Sequence, residues 1–112
     1  MIIHKEMAAG RWFEMPLCEQ MANVGMDVDR AIRWRNKGEL ELSQKAFYRA
    51  LELINLTFLD FKHPPHRRKE IGRVKEALVD YFMYDNEYGS SDELWQNYFY
   101  AFNYHAALKR GR

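Results

Sequence analysis

Residues 16–59 read PLCEQMANVGMDVDRAIRWRNKGELELSQKAFYRALELINLTFL, and the fold follows from how this stretch divides at Gly38. Leu17, Met21, Val24, Val28 and Ala31 or Ile32 recur at alternating steps of four and three, which lines one face of a helix. Pro16 suits the first turn, where its missing N–H is not needed. Gly38 supplies the left-handed residue that closes many helices, and Arg33, Arg35 and Lys37 sit favourably at the negative end of the helix dipole. The spacing predicts a helix over about 16–37. Leu42, Ala46, Phe47, Ala50, Leu53 and Ile54 then repeat the pattern without an internal Gly or Pro, predicting a second helix over about 39–59. With so short a link the two fold back as an antiparallel hairpin.

Downstream, DFKHPPHRRK at 60–69 breaks the period, because Pro64 and Pro65 cannot sit inside a helix. Ile71, Val74, Leu78 and Tyr81 or Phe82 mark a third helix over about 66–84, which fades in the turn-forming run Asp85-Asn86-Glu87-Tyr88-Gly89. Ser90 followed by Glu93 reads as a capping box opening a fourth helix over about 91–109, with Leu94, Tyr98, Ala101, Phe102, His105 and Leu108 at helical spacing. No segment alternates like a half-buried strand. The fold class is therefore all-α, an antiparallel four-helix bundle in a single domain over 11–112, preceded by a flexible leader over 1–10.

Composition bounds the function. With 112 residues, 47% hydrophobic and 15% aromatic, and only three prolines and six glycines, the chain has enough apolar material to offset its ordering entropy. Cys18 is the single cysteine, so an internal disulfide is impossible and a reducing, cytoplasmic setting is expected. No stretch approaches the roughly 20 apolar residues of a membrane span, and no membrane partner is expected. The formal net charge of +1 supplies no global field towards nucleic acid.

Charge is uneven along the chain, however. Lys62, Arg67, Arg68, Lys69, Arg73 and Lys75 oppose only Glu70, and Arg30, Arg33, Arg35 and Lys37 end the first helix, whereas Asp80, Asp85, Glu87, Asp92 and Glu93 form an acidic stretch. Arg30, Arg67, Arg68, Lys69 and Arg73 are the candidate phosphate-binding residues; solvated faces and complementary pairing are the plainer reading.

Catalytic motifs are missing. There is no nucleophile elbow, no glycine-rich phosphate loop and no histidine near Cys18, which reads as a small buried hydrophobe. His63-Pro64-Pro65-His66, with His105 from the last helix, is the one arrangement worth testing as a metal site. Its two prolines stiffen the spacing wrongly and no Glu-x-x-His pair is present, so the histidine pair reads as exposed loop and no metal or cofactor is expected. Glu76 and Asp80 read as solvated helix-face residues. A weaker enzymatic reading would use His105, Tyr98 and Asp80 between helices.

Two resemblances add expectations. Ala31, Trp34, Gly38, Ser43, Phe47, Ala50 and Leu51-Glu52-Leu53 fall at the packing positions of a tetratricopeptide repeat, which the hairpin resembles over about thirty residues; Asn55 stands where that repeat closes with proline, and no second copy follows. The segments GRWF, EQMANVG, RAIRW, ALVDYF, DNEYGSSDELWQ and YFYAF resemble a family of short, uncharacterised prokaryotic all-helical proteins, which brings no assigned activity. In size and helical pattern the chain also resembles the four-helix HEPN proteins, which implies association with RNA. Their Arg followed four to six residues later by His has no counterpart before His63, His66 or His105, so cleavage chemistry is not implied.

Aromatic density in the last helix is the remaining anomaly. Trp95, Tyr98, Phe99, Tyr100, Phe102 and Tyr104 point all round its axis, while a bundle helix buries one stripe. Either Trp12 and Phe13 fold over it, or it docks a partner. The expectation is a non-catalytic helical interaction protein, a homo-oligomeric adaptor or regulatory subunit, with Trp95, Tyr98, Phe99, Phe102, Tyr84 and Tyr88 as interface candidates. The alternative is a HEPN-like module binding RNA phosphates through the basic clusters.

Overall fold

Residues 10–110 are described by a computed structural model; the expected leader lies outside the described residues apart from Gly10. A short 3-10 turn at Arg11–Glu14 precedes four helices: α1 Leu17–Asn36, α2 Leu40–Phe58, α3 Pro65–Met83 and α4 Asp92–Arg110. Each end falls one residue from its predicted position, and the described residues contain no strand. The fold is an all-α four-helix bundle. Gly38 has the left-handed φ of 80° that the α1–α2 link requires, and the Glu39 amide donates to Trp34 O across it at 2.9 Å.

Side-chain contacts set the directions. Ser43 Oγ donates to Ala31 O at 2.7 Å between α2 and α1, and Phe47 of α2 stacks on Phe82 of α3 at 4.7 Å. Gly25 of α1 faces Phe99 of α4 so closely that a Cβ on Gly25 would lie 2.6 Å from Phe99 Cβ, while Arg35 at the far end of α1 reaches Asp92 at the start of α4. Neighbouring helices are thus antiparallel. The close backbone approaches are α1 with α2, α1 with α4 and α2 with α3; α3 and α4 meet chiefly through long side chains. One apolar core runs through Trp12 and all four helices.

Trp12 does not cover α4. Its ring is fully buried and its Nε1 donates to Thr57 Oγ1 of α2 at 3.0 Å, a hydroxyl that itself donates to Leu53 O at 2.9 Å. Gln20 of α1 donates from Nε2 to Trp12 O at 3.0 Å and to Asp60 Oδ2 at 2.9 Å. His63, expected in an exposed loop, is buried: its Nε2 lies 2.6 Å from Gln20 Oε1, and because an amide oxygen only accepts, the imidazole donates. Buried polar groups need partners. This network supplies them while tying the turn before α1 to the link between α2 and α3.

Candidate functional site

Helix α4 turns its rings in two directions. Trp95 and Phe99 are buried, 4% and 3% exposed; Gly25 on α1 leaves room for Phe99, which gains about 1.5–3 kcal/mol from burial. Tyr98 and Phe102 are half-buried at the edge of the same stripe. The sequence expectation that Trp95, Tyr98, Phe99 and Phe102 form an outer contact surface is therefore corrected: they pack inside their own chain. Trp95 Nε1 finds no acceptor among the described residues. Tyr98 donates towards Glu70 of α3 at 3.5 Å, and burial, reinforced by the Glu70 charge, holds its phenol well above the usual range.

The apolar face expected to carry Leu94, Ala101, His105 and Leu108 is corrected too: these residues point outward, because the helix is turned so that Trp95 and Phe99 face α1. Leu94, Ala101 and Leu108 are all exposed and repeat every seven residues, a spacing that drifts only about 20° per repeat around a helix. Tyr104 lies beside them and stacks with Tyr100 at 6.5 Å between ring centres, both more than half exposed. This seam stands roughly 120° from the buried face. The seven-residue spacing was the signal that could have found it.

The second surface is built by the link from α3 to α4. Asp80, expected as a solvated helix-face residue, is buried, and its two carboxylate oxygens accept the amides of Glu87 and Tyr88 at 2.9 and 3.0 Å. Asn86 takes a left-handed φ of 53°, and its side chain accepts from Ser90 N at 2.8 Å and donates to Ser90 O at 2.9 Å. These bonds hold the Ser90 backbone in the loop, and the cap of α4 lies one residue beyond the expected Ser90, with Ser91 Oγ accepting from Leu94 N at 3.1 Å.

Anchored this way, the loop stands beside the outer face of α3 and encloses an open cleft of about 670 Å³. Phe58, Gly72 and Val79 supply its apolar lining, and Tyr84 and Tyr88, 72% and 66% exposed, also line it. Of the interface candidates, these two are the ones left open to solvent. Glu76, Asp85 and Glu87 add carboxylates and Lys75 one ammonium group.

A junction at the same end of the bundle fixes α4 to α1 and α3. Asp92 accepts from the Tyr81 hydroxyl, from Asn36 Nδ2 at 3.1 Å and from Arg35 at 3.5 Å, and the Arg35 guanidinium lies 4.4 and 4.7 Å from the Tyr81 and Phe82 ring centres. Burial pushes the Asp92 carboxyl up, but these donors outweigh it and hold it below the usual range. Burial and the bond to Asp92 raise the Tyr81 phenol.

The candidate phosphate-binding residues do not share one environment. Arg67, Lys69 and Arg73 are exposed on the first turns of α3, with Arg67 3.3 Å from Glu70. Arg68 donates from Nε to Phe58 O at 2.9 Å and lies over the Phe58 and Phe61 rings. Arg30 is on α1, paired with Asp27 at 2.9 Å. Asp80, Tyr98 and His105 have separate surroundings: the first holds the loop, the second faces Glu70 and the third is exposed. Among the described residues no three of His, Cys, Asp and Glu gather to hold a metal ion, and Cys18 is half-buried rather than enclosed. No helix of the described residues is long and apolar enough to cross a membrane.

No protein-family model, curated protein or solved structure matches the chain. Its function has to be read from its own surfaces.

Proposed function

We propose that this chain is a non-catalytic helical interaction protein of the cytoplasm, an adaptor or small regulatory subunit that pairs with a second copy of itself through the outer face of α4. The observation that carries this reading is the exposed seam of Leu94, Ala101 and Leu108. It is symmetric about Ala101, with Leu94 and Leu108 seven residues to either side. A two-fold interface needs such a self-complementary patch. Two antiparallel copies centred on Ala101 would set Leu94 of one against Leu108 of the other, with the small Ala101 side chains letting the backbones approach. The ends are complementary as well, since the exposed Glu93 stands in the first turn and the exposed Lys109 in the last.

Light scattering and sedimentation at tens to hundreds of micromolar test this directly. The parent chain is expected to run as a dimer. The double variant Leu94→Glu/Leu108→Glu, which touches two exposed positions, is expected to be monomeric and to keep the parent's helical circular-dichroism spectrum, with a melting temperature that no longer rises with protein concentration. A parent chain that stays monomeric throughout the range would refute self-pairing.

The alternative, a HEPN-like module holding RNA phosphates, draws support from the three exposed cations Arg67, Lys69 and Arg73 on adjoining turns of α3. Arg30 and Arg68 are already engaged elsewhere. That reading requires RNA binding at low salt with a steep salt dependence.

A further inference from the structure

The cleft between the outer face of α3 and the 84–88 loop is not used by the α4 seam, and its chemistry is specific. We infer that it is a docking site for an extended, basic peptide segment, one that lays an arginine or lysine against Tyr84 and Tyr88 and sets further cations on Glu76, Asp85 and Glu87.

Four observations carry this. First, the walls are built in advance: Asp80 clamps the amides of Glu87 and Tyr88, and the Asn86 side chain closes the loop on Ser90, so little ordering is left for the moment of binding. Second, two tyrosine side chains are left largely in solvent beside an apolar lining, and the face of such a ring attracts a cation within about 6 Å of its centre. Third, Glu76, Asp85 and Glu87 are exposed and make no ion pair among the described residues, with Lys75 the one opposing charge in the lining. The cleft therefore offers negative charge that its own chain does not neutralise. Fourth, its length exceeds what a lone small amine would fill. The α3 residues that line it run from Gly72 to Asp80, about 12 Å of helix axis, and the volume of about 670 Å³ is that of several side chains. A segment with two or more spaced cations fits that span, and an open-sided groove admits a chain that enters and leaves.

The inference uses residues apart from those of the self-pairing seam, so either can fail alone. The test uses the full chain and fluorescence anisotropy of two labelled seven-residue peptides, Gly-Arg-Gly-Arg-Gly-Arg-Gly and its glutamate counterpart, in about 0.15 M salt. The arginine peptide is expected to bind saturably and the glutamate peptide not at all. Tyr84→Ala/Tyr88→Ala and, separately, Glu76→Gln/Glu87→Gln are each expected to weaken binding at least tenfold, while Glu93→Gln on α4 leaves it unchanged. All the substituted side chains are exposed, so a melting curve matching the parent is expected for every variant. Absence of binding overturns the proposal. So does loss in the glutamine variant without loss in the alanine variant, which would mean diffuse attraction to an acidic surface. Methylguanidinium competing at the same concentration as the peptide would overturn the assignment to a chain segment.

Discussion

Helices α1 and α3 are nearly equal in length, 20 and 19 residues, yet nine residues of α1 are buried and only four of α3. The difference lies in side-chain size and spacing. Ala22, Gly25 and Ala31 let α1 take one neighbour on either side, α2 and α4, at close range. Helix α3 opens on Pro-His-Arg-Arg-Lys-Glu and buries a thin stripe of Ile71, Val74 and Leu78. It is fastened near its ends instead, by the Gln20–Asp60–His63 network before its first turn and by Asp80 and Tyr81 at its last. A central helix thus carries the core, while a peripheral one with a free outer face carries the cleft. Substitutions should separate the two.

The largest separation is expected at Gly25. Alanine there gains about 1 kcal/mol of helix propensity. Its methyl group, however, would lie 2.6 Å from Phe99 Cβ and 2.8 Å from Cγ, atoms next to the backbone that cannot swing aside. Overpacking of this kind costs about 1–3 kcal/mol, and more where neighbours cannot move. Gly25→Ala is expected to lose about 1–2 kcal/mol net in urea unfolding, through separation of α4 from α1. A variant as stable as the parent would mean that the two helices are not held at this distance in solution.

An intermediate effect is expected from acid, acting on the first fastening of α3. Burial pushes the His63 imidazole below its ordinary value of 6.5, with the Asp60 carboxylate opposing and the charges of Lys62 and Arg67 assisting. The unfolded chain then binds more protons than the folded one just below pH 6.5, so the contribution of His63 is intact above that pH and is lost as pH falls through the folded value. Burial raises Asp60, but hydrogen bonds from Lys62 and Gln20 outweigh it and hold the carboxyl below 3.8. Its contribution is present above pH 3.8 and disappears only as pH drops through that lower value. Melting temperature is therefore expected to fall in two acid steps, and His63→Gln to flatten the upper one. A parent curve with no slope between about pH 5 and 6.5 would count against a buried neutral imidazole.

The helices were legible because each carries its own local evidence: a 3.6-residue period, Gly38 at one end, Pro64 and Pro65 at another. The orientation of α4 was not. Leu94, Trp95, Tyr98 and Phe99 are all apolar, so the period alone leaves the inward direction open, and what decides it is a missing side chain on another helix, Gly25. The same holds for the polar groups. Asp80 looks like any solvated carboxylate until the loop returns amides to it, and Gln20, Asp60 and His63 are buried only because three separate segments meet. Of the cleft, Tyr84 and Tyr88 were legible as candidates; the lining by Gly72, Val79 and Phe58 depends on the pairing of α2 with α3.

The smallest effect is expected at Gly72, and it sharpens the contrast with Gly25. A Cβ at Gly72 meets Phe58 Cε1 at 3.2 Å and Cδ1 at 3.7 Å, the outer edge of a half-buried ring, and nothing else within 4 Å. A small pivot of that ring relieves the contact, and the helix-propensity gain of about 1 kcal/mol offsets what the pivot costs. Gly72→Ala should therefore change unfolding free energy by no more than about 0.5 kcal/mol either way, the range of substitutions away from a packed core. Both glycines are helical, both touch a phenylalanine and both receive the same methyl group, so backbone entropy cancels between them. What remains in the difference is whether the phenylalanine can move: Phe99 is pinned between α1 and α4, and Phe58 stands at the rim of an open cleft. Equal losses at the two positions would show that α3 is embedded as firmly as α1, and the outer face that carries the cleft would then be part of the core.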